Sequence, residues 1–157
     1  MKTKSVHQPK RYSHTVTKSQ LGPFIATIYE LQSAWLEPRL KAAGIRWTTF
    51  QLLATVLGAG DDASQAEVAR RLAVAPATLS ESVQIHVEKG LLTQEASPKD
   101  KRKKVLRLTA AGKKKMSSVA KHVQELETHL IQGISPKDLG SIEQSLGKIV
   151  ENLEKIL

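Results

Sequence analysis

Residues 64–90 open Ser64-Gln65-Ala66-Glu67-Val68-Ala69-Arg70-Arg71-Leu72, pass through Ala73-Val74-Ala75, and continue Pro76-Ala77-Thr78-Leu79-Ser80-Glu81-Ser82-Val83-Gln84 towards Gly90. Ser64 and Glu67 have the spacing of a capping box. The serine side chain accepts from the N–H of Glu67, and the glutamate reaches back to the N–H of Ser64. The helix they start ends near Leu72. Pro76 then occupies a first helical position, where its missing N–H is not needed, and a second helix runs to Lys89 with Gly90 as its stop. Two short helices joined by a tight break make a helix-turn-helix candidate.

On the C-terminal side, residues 91–95 and 105–108 are β-compatible and flank the polar stretch 97–104, so a β-hairpin with a basic tip is expected. Thr109 caps a long helix in which Met116, Val119, Val123, Leu126 and Leu130 recur at spacings of three and four. Ser135-Pro136 restarts a final helix carrying Leu139, Ile142, Leu146, Ile149, Leu153 and Ile156 in the same alternation. That period of about 3.5 suits helices packed at a shallow angle over several turns.

On the N-terminal side, a helix from near Thr48 to Gly58 or Gly60 is apolar nearly all round through Phe50, Leu52, Leu53, Val56 and Leu57, and is read as core. Before it, Leu21, Phe24, Ile25, Ile28, Leu31, Trp35 and Leu36 mark one face of a longer helix. Pro38 should kink or crowd its last turns, and Gly44 supplies its stop. Residues 1–19 hold Lys2, Lys4, Lys10, Arg11 and Lys18 with no acid, and predict a mobile basic arm. It is either a plain solvated tail or an accessory phosphate-binding arm. The first helix and the last two carry apolar stripes longer than the short central helices can cover. Burial between subunits is the favoured reading, and a helical bundle within one monomer is the other.

The chain has 157 residues, 40% hydrophobic and 25% charged, enough for one compact domain or two small ones. Its net charge of +9 and pI near 9.9 point to a polyanionic partner, nucleic acid or an anionic membrane surface. The absence of cysteine excludes disulfides, thiolate metal sites and thiol redox switching. No apolar run approaches the ~20 residues of a spanning helix, and the Lys-rich start lacks a signal-peptide core. A cytoplasmic protein without a membrane partner is expected.

The charge is concentrated. Lys99, Lys101, Arg102, Lys103, Lys104, Arg107, Lys113, Lys114 and Lys115 stand against Asp100 alone. A hairpin with such a tip can cross a phosphate backbone or insert an arginine into a minor groove; a solvated lysine-rich loop is the alternative. Upstream, Leu79 and Val83 face the core and leave Thr78, Ser80, Glu81 and Gln84 for the major groove. Glutamine can pair bidentately with adenine, glutamate can accept from the cytosine amino group, and the hydroxyls serve either role. Plain solvent exposure is the competing reading of each.

His122, Glu125 and His129 fall near one helical face at i, i+3 and i+7, but spacing alone does not make a ligand set and no metal is assigned. There is no Gly-rich phosphate loop, no Gly-x-Ser-x-Gly turn and no carboxylate pair in an evident cleft. Neither catalytic residues nor a cofactor are assigned, and no enzyme is expected.

The order of elements, with Val68-Ala69-Arg70-Arg71-Leu72, Thr78-Leu79-Ser80, Glu88-Lys89-Gly90-Leu91-Leu92, Asp100-x-Arg102 and Leu108-Thr109-x-x-Gly112, resembles the MarR-type winged helix-turn-helix transcriptional regulators over residues 21–157. The resemblance implies a mainly α fold with a small β-hairpin wing. It divides the chain into an arm (1–19), an N-terminal dimerisation helix (20–45), a winged helix-turn-helix domain (46–109) and C-terminal dimerisation helices (110–157). It further implies a homodimer on a near-palindromic double-stranded DNA operator, with Arg102 entering a minor groove and Asp100 fixing its direction. Two positions depart from the pattern: Glu81, where many relatives place arginine, and His86, where a core leucine is usual. His86 is read as a partly buried histidine making one hydrogen bond, ahead of a ligand or proton-sensing role.

The function implied is a repressor released by a small lipophilic or phenolic molecule. Tyr29, Trp35, Arg39, Trp47 and Phe50 are candidates to line its crevice, with core packing as the rival role for each aromatic. The alternative function is an architectural protein that coats DNA with little sequence preference.

Overall fold

The computed structural model describes residues 20–60, 63–97 and 100–156. The basic arm expected at 1–19 lies outside them, as does Lys99. The chain runs α1 (Leu21–Ala42), α2 (Trp47–Ala59), α3 (Gln65–Leu72), α4 (Pro76–Glu88), β1 (Leu92–Ala96), β2 (Lys104–Leu108), α5 (Ala110–Ser117), α6 (Ala120–Ile131) and α7 (Pro136–Glu154). It divides into two compact units, one ending at His122 and one beginning at Val123.

In the first unit, three helices end in the same way. At Gly44, Ala73 and Gly90 the backbone enters the left-handed region, and the next N–H bonds back to a carbonyl five residues earlier: Ile45 to Leu40, Val74 to Ala69, Leu91 to His86. This double-bonded stop satisfies orphan carbonyls and turns the chain sharply. Ala73 does so at φ 51° without being glycine. Around these turns close Leu52, Leu53 and Val56 of α2, Val68 and Ala69 of α3, Leu79 and Val83 of α4, Leu92 of β1 and Leu106 of β2. Each leucine fully removed from water contributes on the order of 2 kcal/mol.

β1 and β2 pair antiparallel with Leu92 opposite Leu108 and Ala96 opposite Lys104. A short third edge joins them, because Leu106 N–H donates to Ala63 at 2.9 Å and Ser64 bridges Val105. The fold is a winged helix: three packed helices followed by a hairpin.

The start of α5 locks the base of the wing. Thr109 Oγ1 accepts from Gly112 N–H at 3.0 Å and donates to the Gly90 carbonyl at 2.6 Å, while Thr109 N–H donates to Leu91 at 3.1 Å. Gly112 is buried, and a Cβ there would come inside 3.0 Å of the Leu91 carbonyl oxygen. The Leu-Thr-x-x-Gly motif is thus a cap plus a close backbone approach.

Several expectations are corrected. The long helix expected from Thr109 to beyond Leu130 is interrupted at residues 118–119. There Ser118 Oγ donates to Lys115 and Val119 N–H bonds to Met116, a tight turn around the fully buried Val119. The capping box is half made: Ser64 accepts from Glu67 N–H at 3.1 Å, but the Glu67 carboxylate turns to Arg70 and Arg71. α2 is not apolar core all round, since Leu57 is exposed. The end of α1 is as expected: Pro38 lies in its last turns, which close at Ala42 before Gly44, with the Arg39 guanidinium bonded to the Trp35 carbonyl at 2.6 Å.

The apolar stripes lie open. Phe24, Ile25, Ile28 and Leu31 of α1 are exposed, as are Ile142, Leu146, Val150 and Leu153 of α7. Neither α6 nor α7 contains a buried residue.

Candidate nucleic-acid interface

α4 is anchored through Leu79, Val83 and His86, all buried on one face. The ring of His86 is held at both ends: Nδ1 lies 2.6 Å from the Ser82 carbonyl and Nε2 lies 3.0 Å from Thr49 Oγ1. A carbonyl only accepts, so Nδ1 carries a proton and donates to Ser82, while Nε2 shares a hydrogen bond with the Thr49 hydroxyl. His86 is therefore a structural pin between α4 and α2, with two bonds where one was expected.

With that face inside, Thr78, Ser80, Glu81 and Gln84 are exposed, as their spacing predicted. They are not equally free. Gln84 Nε2 donates to Glu88 at 3.2 Å, and Ser80 Oγ is bonded to the Pro76 carbonyl and to Gln65 Nε2.

The tip of the wing is shaped by its own backbone. Ser97 N–H donates to Lys103 and Lys103 N–H to Asp100, each at 2.8 Å. Asp100 Oδ1 accepts from both the N–H of Arg102 at 3.1 Å and its Nε at 3.2 Å. These two bonds, the backbone one foremost, hold the Asp100 carboxyl below its usual range. The Arg102 side chain, 91% exposed, is steered at its root while its outer end stays in solvent. Lys101, Lys103 and Lys104 are exposed beside it.

Between wing and helices lies an open concavity of about 680 Å³ lined by Gln65, Glu67, Arg70, Arg102, Lys103 and Lys104, among others. Arg70 and Arg71 clasp Glu67 at 2.7 Å each. The hydrogen bonds from Arg70 and then Arg71 bring the Glu67 carboxyl down to about 2, and the same contact raises Arg70. Site reasoning from the sequence passed over Arg70, Gln65 and Gln94. The spacing of Glu67 to residues three and four ahead is a signal for the arginine pairs. Nothing local signals the glutamines, whose partners lie 15 and 29 residues away.

The five residues proposed for a ligand crevice separate into two groups. Trp47 Nε1 donates to Tyr29 Oη at 3.2 Å, with Tyr29 edge-on to Trp47 and Phe50 tilted against it at 5.8 Å. Arg39 instead stacks on Trp35 at 3.6 Å. Among the described residues no group of three or more His, Asp or Glu is placed to hold a metal, and no helix is long and apolar enough to cross a membrane.

Residues 43–103 match the model of the MarR family. The structure is similar to a MarR family transcriptional regulator from Silicibacter pomeroyi, at 21% identity over 92% of this chain and 98% of that one, with a TM-score of 0.74. It is also similar to CouR from Rhodococcus jostii bound to p-coumaroyl-CoA, at 18% identity over 85% and 96% of the two chains and a TM-score of 0.72. A mutant MarR from E. coli complexed with operator DNA matches at 22% identity over 82% and 92%, with a TM-score of 0.64. Residues 43–103 thus match the MarR family model, and the chain shares the winged-helix fold of these solved structures.

Proposed function

We propose that this chain is a homodimeric, sequence-specific regulator of transcription that binds double-stranded DNA through α4 and the wing. The observation that carries the reading is the juxtaposition of an exposed polar face on α4 with a concavity edged by Arg70, Arg102, Lys103 and Lys104. Helix side chains supply base contacts in the major groove, and the basic edge supplies the phosphate and minor-groove contacts. The solved relative that holds operator DNA supports the same use of the fold. The domain division follows: an arm at 1–19, a winged helix at 46–109, and helices at 20–45 and 110–157 that pair two chains through their open apolar stripes. Repression by occlusion, relieved by a small lipophilic or aromatic acyl ligand near Tyr29, Trp47 and Phe50, is the mode proposed, supported by the ligand held by CouR.

Selection of duplexes from a randomised library by the purified protein at ~150 mM salt tests this, because non-specific phosphate binding is suppressed there. An inverted repeat with half-sites about one helical turn apart is the expected result. Fragments sharing no motif would replace it with the architectural reading.

A further inference from the structure

Ser80 is tied into a hydrogen-bond chain that crosses three elements. Its hydroxyl donates to the Pro76 carbonyl at 2.9 Å and accepts from Gln65 Nε2 at 2.7 Å. Gln65, half-buried at the start of α3, accepts in turn from Gln94 Nε2 of β1 at 2.6 Å. A carbonyl can only accept, so the Pro76 end sets the direction of the whole chain. Ser80 gives its single proton to Pro76, Gln65 turns its amide N–H to Ser80, and Gln94 turns its own to Gln65.

The geometry points to Gln65 as a specificity-determining positioning residue: anchored by Gln94, it keeps Ser80 an acceptor only, so the base edge that Ser80 meets must present an exocyclic amino group. An unheld serine hydroxyl rotates to donate or accept as its partner requires. Here the proton is committed and one lone pair remains to face outward. In the major groove the amino groups are those of adenine and cytosine, whereas guanine and thymine present oxygen and nitrogen lone pairs to it. This inference rests on the proposal that α4 reads the major groove, and it adds which bases one position accepts and which residues outside α4 decide it.

The test compares wild type, Gln65→Met, Ser80→Ala and the double variant in the same library selection at ~150 mM salt. Methionine keeps the length of glutamine and removes its hydrogen bonds. The wild type is expected to prefer adenine or cytosine at one position of each half-site by about 2- to 10-fold, the range of a single net hydrogen bond. Gln65→Met flattens that position alone, leaving affinity for unrelated duplex and its salt slope unchanged. Ser80→Ala erases the same preference, and the double variant goes no further than Ser80→Ala. Gln94→Met, which removes only the anchor, gives part of the same flattening and serves if thermal melting shows Gln65→Met unfolded. Uniform weakening towards all duplexes in Gln65→Met, or equal flattening in the Ser80→Ala background, overturns the inference. A motif that survives Gln65→Met unchanged overturns this inference alone, whereas a wild type that selects no motif overturns the regulatory reading and this one with it.

Discussion

Replacing Gly112 by alanine sets two effects of opposite sign against each other. Inside a helix, glycine to alanine is ordinarily stabilising by roughly 0.5–1 kcal/mol, because the glycine backbone has more freedom to lose. At Gly112, however, the new methyl meets the Leu91 carbonyl oxygen inside 3.0 Å, and that carbonyl belongs to backbone that cannot swing aside. Forcing an extra carbon into a closed contact costs about 1–3 kcal/mol. The same carbonyl accepts the Thr109 N–H at 3.1 Å, so easing the clash also loosens a bond worth about 1 kcal/mol. The sum is a net loss of about 1–3 kcal/mol, hence a fall in Tm of at least about 3 °C for a unit of this size. Thermal melting followed by circular dichroism at fixed protein concentration measures it. Gly147→Ala, in α7 with nothing within 4 Å of the added carbon, is the control expected to move the other way. If Gly112→Ala melts at or above the wild-type temperature, the account of the wing's base is wrong.

Leu146→Glu places a charge on the open stripe of α7, and is expected to raise the dimer dissociation constant at least ~100-fold in sedimentation equilibrium while helicity is retained. Arg102→Ala should weaken operator binding and shallow the salt dependence by about one phosphate contact. Asp100→Ala should also weaken it despite removing a negative charge, and tighter binding would remove Asp100's steering role. Glu67→Gln should melt below wild type at pH 7. Because the folded Glu67 carboxyl sits near 2 against an ordinary 4.5, that gap should hold above pH 4.5, shrink as pH falls and close near pH 2. Ala73→Gly should raise stability by about 0.5–1 kcal/mol in chemical denaturation, since alanine at φ 51° carries a strain that glycine lacks.

The winged helix was legible wherever a local rule determined the outcome. Ser64, Pro76, Gly90 and Thr109 mark ends of elements through their own backbone chemistry, and Leu79 with Val83 fixes the inward face of α4 and so the outward one. What stayed hidden depends on partners distant in the chain or on side chains with a choice. Met116, Val119 and Val123 continue one helical rhythm, so nothing apolar announced the turn at Ser118, where a hydroxyl diverts the backbone. Glu67 had both a backbone N–H and two guanidinium groups within reach, and the charges won. The chain linking Gln94, Gln65 and Ser80 exists only once β1 lies beside α3, which no spacing encodes.

The pairing of Tyr29 with Trp47, and of Arg39 with Trp35, has an optical consequence. All phenylalanine, tyrosine and tryptophan residues of the chain lie at or before Phe50, so α4 and the wing are dark in the near ultraviolet. Both indoles sit on α1 and at the start of α2, one beneath a guanidinium and one bonded to a phenol. Tryptophan emission from unlabelled protein thus reports on the elbow of α1 and the start of α2. A change in tryptophan emission on adding DNA would be a direct readout of motion passed from α4 and the wing to the elbow, and titration with a small aromatic acid would be read by the same two lamps.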